Sequence, residues 1–192
     1  MTHATPERRP GQPRVAELAH EEPGTVSADE FKTVFRGHPS GVAVVTADAG
    51  DGPVALTATS VVSVSAEPPL LVFSASAISS STPTFLRART VVVHLLDAED
   101  LDIAKLGATS GIDRFADTSI WSRLSTGEPV FNGVRAWIRG AVVNRMEAGG
   151  STVIAVHALQ AFSARTPDPG RSRDALVYHN RAWHRIGEQI TS

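Results

Sequence analysis

Past Gly37 the chain falls into short runs of apolar and β-branched residues. GVAVVTA (Gly41–Ala47), VALTA (Val54–Ala58), VVSVS (Val61–Ser65) and LLVFS (Leu70–Ser74) are separated by Gly, Asp or Pro, the pattern of successive strands. Asp48 to Gly52 has the composition of a hairpin loop, and Pro68-Pro69 interrupts the chain before the fourth run. Thr90–Leu95 predicts another strand. Val134–Met146 and Thr152–Ala164 predict two long ones around a turn at Ala148-Gly149-Gly150. Ala175–His179 and Ala182–Ile186 predict a closing hairpin around Asn180, after a polar loop at Arg165–Arg173. Helical spacing is rarer. Ser27-Ala28-Asp29-Glu30 reads as a capping box, followed by Phe31, Val34 and Phe35 on one face, with Gly37 and Pro39 ending the helix. Thr82-Pro83 predicts a short helix with threonine at the N-cap. Ala98–Leu106 predicts a third, with Leu101, Ala104 and Lys105 covering the strands. Gly107 to Gly127 is rich in glycine and polar residues and predicts a long irregular connection. Many short strands with few helices predict a closed or nearly closed antiparallel barrel.

Composition narrows the reading. A chain of 192 residues suggests one domain, and Pro6, Pro10, Pro13 and Pro23 mark residues 1–26 as a flexible tail ahead of a folded domain at 27–188. A net charge of -2 gives no electrostatic footprint for nucleic acid. The absence of cysteine excludes disulfides, iron–sulfur ligation and thiol catalysis. The N-terminus lacks the apolar core of a signal peptide, and no stretch is apolar enough to span a bilayer, so a cytoplasmic protein without a membrane role is expected. The histidines have no metal-ligand spacing. His179 and His184 fall on opposite arms of the last hairpin without an acidic pair, and no metal is expected.

More specific segments carry a family resemblance. PSGVAVVTA (Pro39–Ala47), LTATSVVSVSAEPPLLVF (Leu56–Phe73), SSSTP (Ser79–Pro83), IDRFAD (Ile112–Asp117) and LVYHNRAWHRIG (Leu176–Gly187) occur in that order. In this order and spacing they resemble the flavin reductase-like family. The resemblance implies a mainly β fold, an antiparallel FMN-binding split barrel of Greek-key type with a few short helices. It implies an NAD(P)H-dependent flavin oxidoreductase that passes a hydride to FMN, or FAD, and supplies reduced flavin to a partner monooxygenase. It also implies a homodimer.

The same resemblance marks site residues. Thr57, Ala58, Thr59 and Ser60 stand in the flavin-binding segment, where small hydroxyl residues let the backbone approach a flat ring. Threonine and serine also simply favour strands and their ends. Ser80, Ser81 and Thr82 precede a predicted helix N-terminus, which suits a phosphate but equally suits plain capping. Arg87 and Arg89 would add charge there or sit in solvent. Phe115 would wall the flavin or the nicotinamide, or anchor its loop. Many family members carry Gly-Asp-His at the turn between the two long strands, associated with nicotinamide binding. This chain has Gly149, Gly150 and Ser151 instead. His157 lies too far along the strand to substitute, on the order of 20 Å at strand rise. Gly149, Ser151 and His179 are the nicotinamide-side candidates. That departure leaves two other readings open. One is an oxidase or oxygenase on the same barrel using a substrate other than NAD(P)H. The other is a non-enzymatic module binding flavin or haem.

Overall fold

A computed structural model describes residues 24–164 and 174–187. Residues 1–23 of the expected tail at 1–26, and the polar loop at 165–173, lie outside the described residues. Among the described residues no helix is long and apolar enough to cross a membrane.

The core is a seven-stranded antiparallel sheet ordered β3-β2-β6-β9-β10-β5-β4. Its strands are β2 (Ala43–Asp48), β3 (Pro53–Ala58), β4 (Val62–Ala66), β5 (Pro69–Ser76), β6 (Thr90–Leu95), β9 (Ala136–Ala148) and β10 (Ser151–Ser163). The end strands β3 and β4 do not pair with each other, so the barrel is split. Register breaks in the β9–β10 ladder between Ala155 and Val156 and between Ala158 and Gln160 bend the long strands around the core. Alternation sorts the side chains. Val45, Phe73, Phe85, Val93, Ile154 and Val156 fill the barrel interior. Val44, Ala55, Ala104, Phe115, Phe131 and Leu176 form a second core on the outside of β2. Strand β2 is thus buried on both faces, which is why its run reads as continuously apolar.

The first expected strand divides in two. Ser40–Gly41 (β1) pairs with β11 (Ala175–His179), which pairs with β12 (Ala182–Ile186), and only from Ala43 does the chain enter the main sheet. Helix α1 (Ala28–Arg36) has the expected capping box and ends at Gly37, but none of its residues is buried. Helix α2 (Thr82–Arg87) begins one residue differently. Ser81 is the N-cap, so Thr82 and Pro83 are its first two helical residues. The third helical segment starts with a single tight turn, Ala98–Asp100, and continues as α3 (Leu101–Ala108). Ala104 and Gly107 are its buried residues, whereas Lys105 is exposed rather than covering the barrel.

The stretch expected to be irregular, Gly107–Gly127, contains β7 (Trp121–Arg123), which pairs with β8 (Pro129–Phe131) just beyond it in a two-stranded ribbon. Two ion pairs pin it to the sheet. Arg123 reaches Asp48 at 2.7 Å, and the buried Glu128 reaches Arg139 at 2.8 Å. Burial opposes ionisation of Glu128, but bonds from Arg139, Thr126 and Thr90 outweigh it and hold its pKa at about 2. Thr46 donates to Pro129 O at 2.5 Å.

Candidate functional site

A cleft of about 380 Å³ opens where β3 leaves the sheet. One wall is Thr57, Ala58, Thr59 and Ser60. Ser74 and Ser76 of β5, with Ser79 and Ser80 beyond it, form the facing wall. Gly107 and Arg114 close one side, and Ser151 reaches the rim from the start of β10. With Ser110, seven of the lining residues are serines, so the lining is small and hydroxyl-rich.

The sheet topology explains the wall. Strand β3 pairs only with β2, so its other edge has no ladder partner among the described residues. Ser81 Oγ donates to Ala55 O at 2.8 Å on that edge. By the two-residue alternation, the backbone of Thr57 turns to the same side. Helix α3 approaches it closely, and only glycine permits this. A Cβ on Gly107 would stand 2.4 Å from Thr57 Oγ1 and 3.2 Å from its backbone nitrogen.

Several of the expected hydroxyls are already engaged. Thr57 Oγ1 donates to Ala104 O at 2.6 Å. Ser60 Oγ accepts from Ser74 N at 2.9 Å. These bonds fix the wall in place, and Thr59 remains exposed. The Ser80-Ser81-Thr82 group does not converge as expected. Ser81 and Thr82 are buried, and Thr82 Oγ1 donates to Ser76 O at 2.6 Å. The backbone nitrogen of Thr82 is also bonded, to Ser79 O at 3.1 Å. A six-residue helix with its first N–H groups engaged is a poor anion site, and Ser80 alone of the three lines the cleft. Arg87 pairs with Asp51 instead of joining it.

Phe115 is likewise not a cleft wall. It is buried in the second core, stacked on Phe131 at 5.5 Å and edge-on to Trp121 at 5.0 Å. Trp121 Nε1 donates to Phe115 O at 3.0 Å. This anchoring presents the preceding residue, Arg114, to the cleft. Arg114 Nη2 donates to Thr109 O at 2.6 Å, and its Nη1 lies 3.5 Å from Ser81 Oγ. Its Nε is shut off from solvent with no partner among the described residues. Burial lowers its pKa from the ordinary arginine value. The Asp-Arg-Phe segment was legible in the sequence, and within it the fold brings Arg114, not Phe115, to the cleft.

Behind Phe131 sits His94, fully buried between β2 and β8. Its Nδ1 lies 3.0 Å from Val44 O, and its Nε2 accepts from Phe131 N at 3.0 Å, which assigns the proton to Nδ1. Burial pushes its pKa down to about 4, against the bond to Val44. Nothing in the sequence distinguishes this histidine from the others.

Of the nicotinamide-side candidates, only Ser151 lines this cleft. Gly149 is exposed at the tip of the β9–β10 loop, where φ of 60° requires its flexibility. His179 lines a second cleft, of about 790 Å³, which shares only Thr59 and Ser60 with the first. Among the described residues no cluster of His, Cys, Asp or Glu is arranged for a metal ion.

Comparison with known proteins agrees with the fold. Residues 35–187 match the flavin reductase like domain. An NADH:FMN oxidoreductase from Rhodococcus qingshengii is 37% identical over 184 residues, covering 96% of this chain and 92% of that protein. Among solved structures, a flavin reductase domain protein from Arthrobacter superposes with a TM-score of 0.77 at 27% identity, over 86% of this chain and 99% of that one. The flavin reductase component of a bacterial two-component tryptophan halogenase superposes with a TM-score of 0.73 at 28% identity, over 85% of this chain and all of that one.

Proposed function

This chain belongs to the flavin reductase like domain family, and on that premise we propose that it passes a hydride from NADH or NADPH to FMN and releases reduced flavin to a partner monooxygenase. The observation that carries the reading is the half-buried Arg114 lining the same cleft as Ser79 and Ser80 and the open edge of β3. That donor set fits a phosphate at one end and a planar ring along Thr57–Ser60.

The hydride chemistry belongs to the two cofactors, so the chain needs no catalytic acid or nucleophile. Arg114 and Ser80 hold the phosphate of FMN, or of FAD. Thr57 and Ser60, locked by their bonds to Ala104 and Ser74, hold the wall rigid, while Ala58 and Thr59 lie along the ring. Ser151 supplies one hydroxyl on the nicotinamide side, where the resemblance implies a histidine. Aligning donor and acceptor within a fixed cleft is the chain's contribution to rate.

The assay is FMN-dependent loss of the NADH absorbance band under air, with purified protein and no second enzyme. Oxidation that requires FMN is expected. Tight FMN binding with neither NADH nor NADPH consumed would sink the reductase reading. A homodimer is part of the proposal, supported by the exposed Val62 and Val64 on β4 and Val143 and Met146 on β9. So is a cytoplasmic location, which suits a consumer of nicotinamide nucleotides.

A further inference from the structure

The second cleft lies between α1 and the β11–β12 hairpin, against the outer side of the Thr59–Ser60 wall. We propose that it holds the diphosphate and adenosine of the reducing nicotinamide dinucleotide, with Arg36 and Arg181 as the diphosphate partners. This rests on the reductase reading above.

Three observations support it. The lining carries Lys32, Arg36 and Arg181 but no carboxylate among the described residues. Arg36 and Arg181 form no ion pair among the described residues, and Lys32 meets Asp29 only across 3.6 Å in an exposed pair. A site of one sign attracts an anionic ligand, and arginine presents a paired set of donors to phosphate oxygens. Phe31, Phe35 and Tyr178 line the same cleft and give it apolar surface for an adenine.

The third observation is conformational. His179 pairs with Ala182, so Asn180 and Arg181 form a two-residue hairpin loop, with φ of 49° and 62°. Loops with both residues at positive φ favour Asn-Gly. Here an arginine occupies the glycine position, in a conformation glycine would adopt without strain. Asn180 N donates to Arg36 O at 3.0 Å, tying the hairpin tip to the last turn of α1. The strained residue and the end of the helix thus bring two cations to one cleft. Strain at a cleft-lining position points to a role beyond the turn itself.

The geometry also accounts for the missing histidine at the β9–β10 turn. Binding energy gathered on the non-reacting half of the dinucleotide helps position its nicotinamide across the Thr59–Ser60 wall, so that the Ser151 hydroxyl suffices at that turn.

The test compares NADH with reduced nicotinamide mononucleotide, which lacks the diphosphate bridge and the adenosine. The variants are Arg181→Gly, which relieves the hairpin strain, and Arg36→Gln. Each lowers the ratio of kcat/KM for NADH to that for the mononucleotide by about tenfold, the value of one charge-assisted hydrogen bond. The salt dependence of KM for NADH also becomes shallower. An unchanged ratio in both variants overturns the proposal. So does a matching loss of FMN affinity, which would place the arginines in the flavin site. A shift in sedimentation from dimer to monomer also overturns it, by making the cleft an interface between copies. If the wild-type protein oxidises neither reductant, the reductase reading itself has failed, which is a different result.

Discussion

The two sides of the Thr59–Ser60 wall are built on different principles. On the inner side, side chains are locked from behind. Thr57 is bonded to α3 and Ser60 to β5, and Arg114 is carried by a loop whose Phe115 stacks on Phe131, which in turn donates to His94. On the outer side, Phe31, Lys32, Phe35 and Arg36 project from a helix with no buried residue. The inner cleft is preorganised, as holding a flat ring at fixed geometry demands. The outer one is adaptable, since none of those four side chains is buried in the described chain.

The largest break in this contrast comes from His94. Its imidazole titrates near 6.5 in an unfolded chain and near 4 in the fold. Between those values the unfolded chain holds more protons, so the stability present above pH 6.5 is lost as the pH falls to 4. The full loss is about 3 kcal/mol. Denaturant melts of the wild type between pH 7 and 4 should show that slope. His94→Gln, which has no such titration, should flatten it. A wild-type melt insensitive to pH across this window would mean the ring is not sealed in as described.

Next in size is Arg114. If the inner cleft is preorganised around a phosphate, Arg114→Gln weakens FMN binding about 10- to 100-fold, or about 1.5–3 kcal/mol. Riboflavin, which has no phosphate, should be affected far less. Fluorescence titration of both ligands checks this. Equal losses would assign Arg114 to the ring or to the loop's stability.

How much of this was legible in the sequence depended on distance along the chain. The strands of β2, β3, β5 and β6 followed from β-branched runs and turn residues, because both act locally. The capping box at Ser27–Glu30 was legible for the same reason. The β7–β8 ribbon was not, since it is held by Arg123 to Asp48 and Thr46 to Pro129, contacts 75 and 83 residues apart. Ser81 and Thr82 looked available because their acceptors, Ala55 O and Ser76 O, are set by folding rather than by sequence neighbours. Phe115 and Arg114 show the same limit. Adjacent residues in a loop point to opposite environments, and which one faces the ligand depends on whether Phe131 is there to receive the ring. His94 was invisible, because a neutral histidine bridging two backbone groups leaves no periodic signal.

The smallest effect probes the outer cleft by itself. Ser27 closes the capping box of α1, its hydroxyl accepting from Glu30 N at 3.2 Å while the Glu30 carboxylate accepts from Ser27 N at 2.9 Å. Ser27→Ala removes about 1 kcal/mol from the helix. Because no residue of α1 is buried in the described chain, that loss should not reach the barrel. The global melt shifts by less than about 0.5 kcal/mol, as for other surface changes. Amide exchange in the first turn of α1 accelerates about fivefold, while exchange in β2 and β6 is unchanged. FMN affinity holds, and KM for NADH rises, since the helix must be ordered before Arg36 can meet the diphosphate. A melt that fell by the full helix loss would show α1 folding as one unit with the barrel, and the contrast between a rigid inner cleft and an adaptable outer one would then fail.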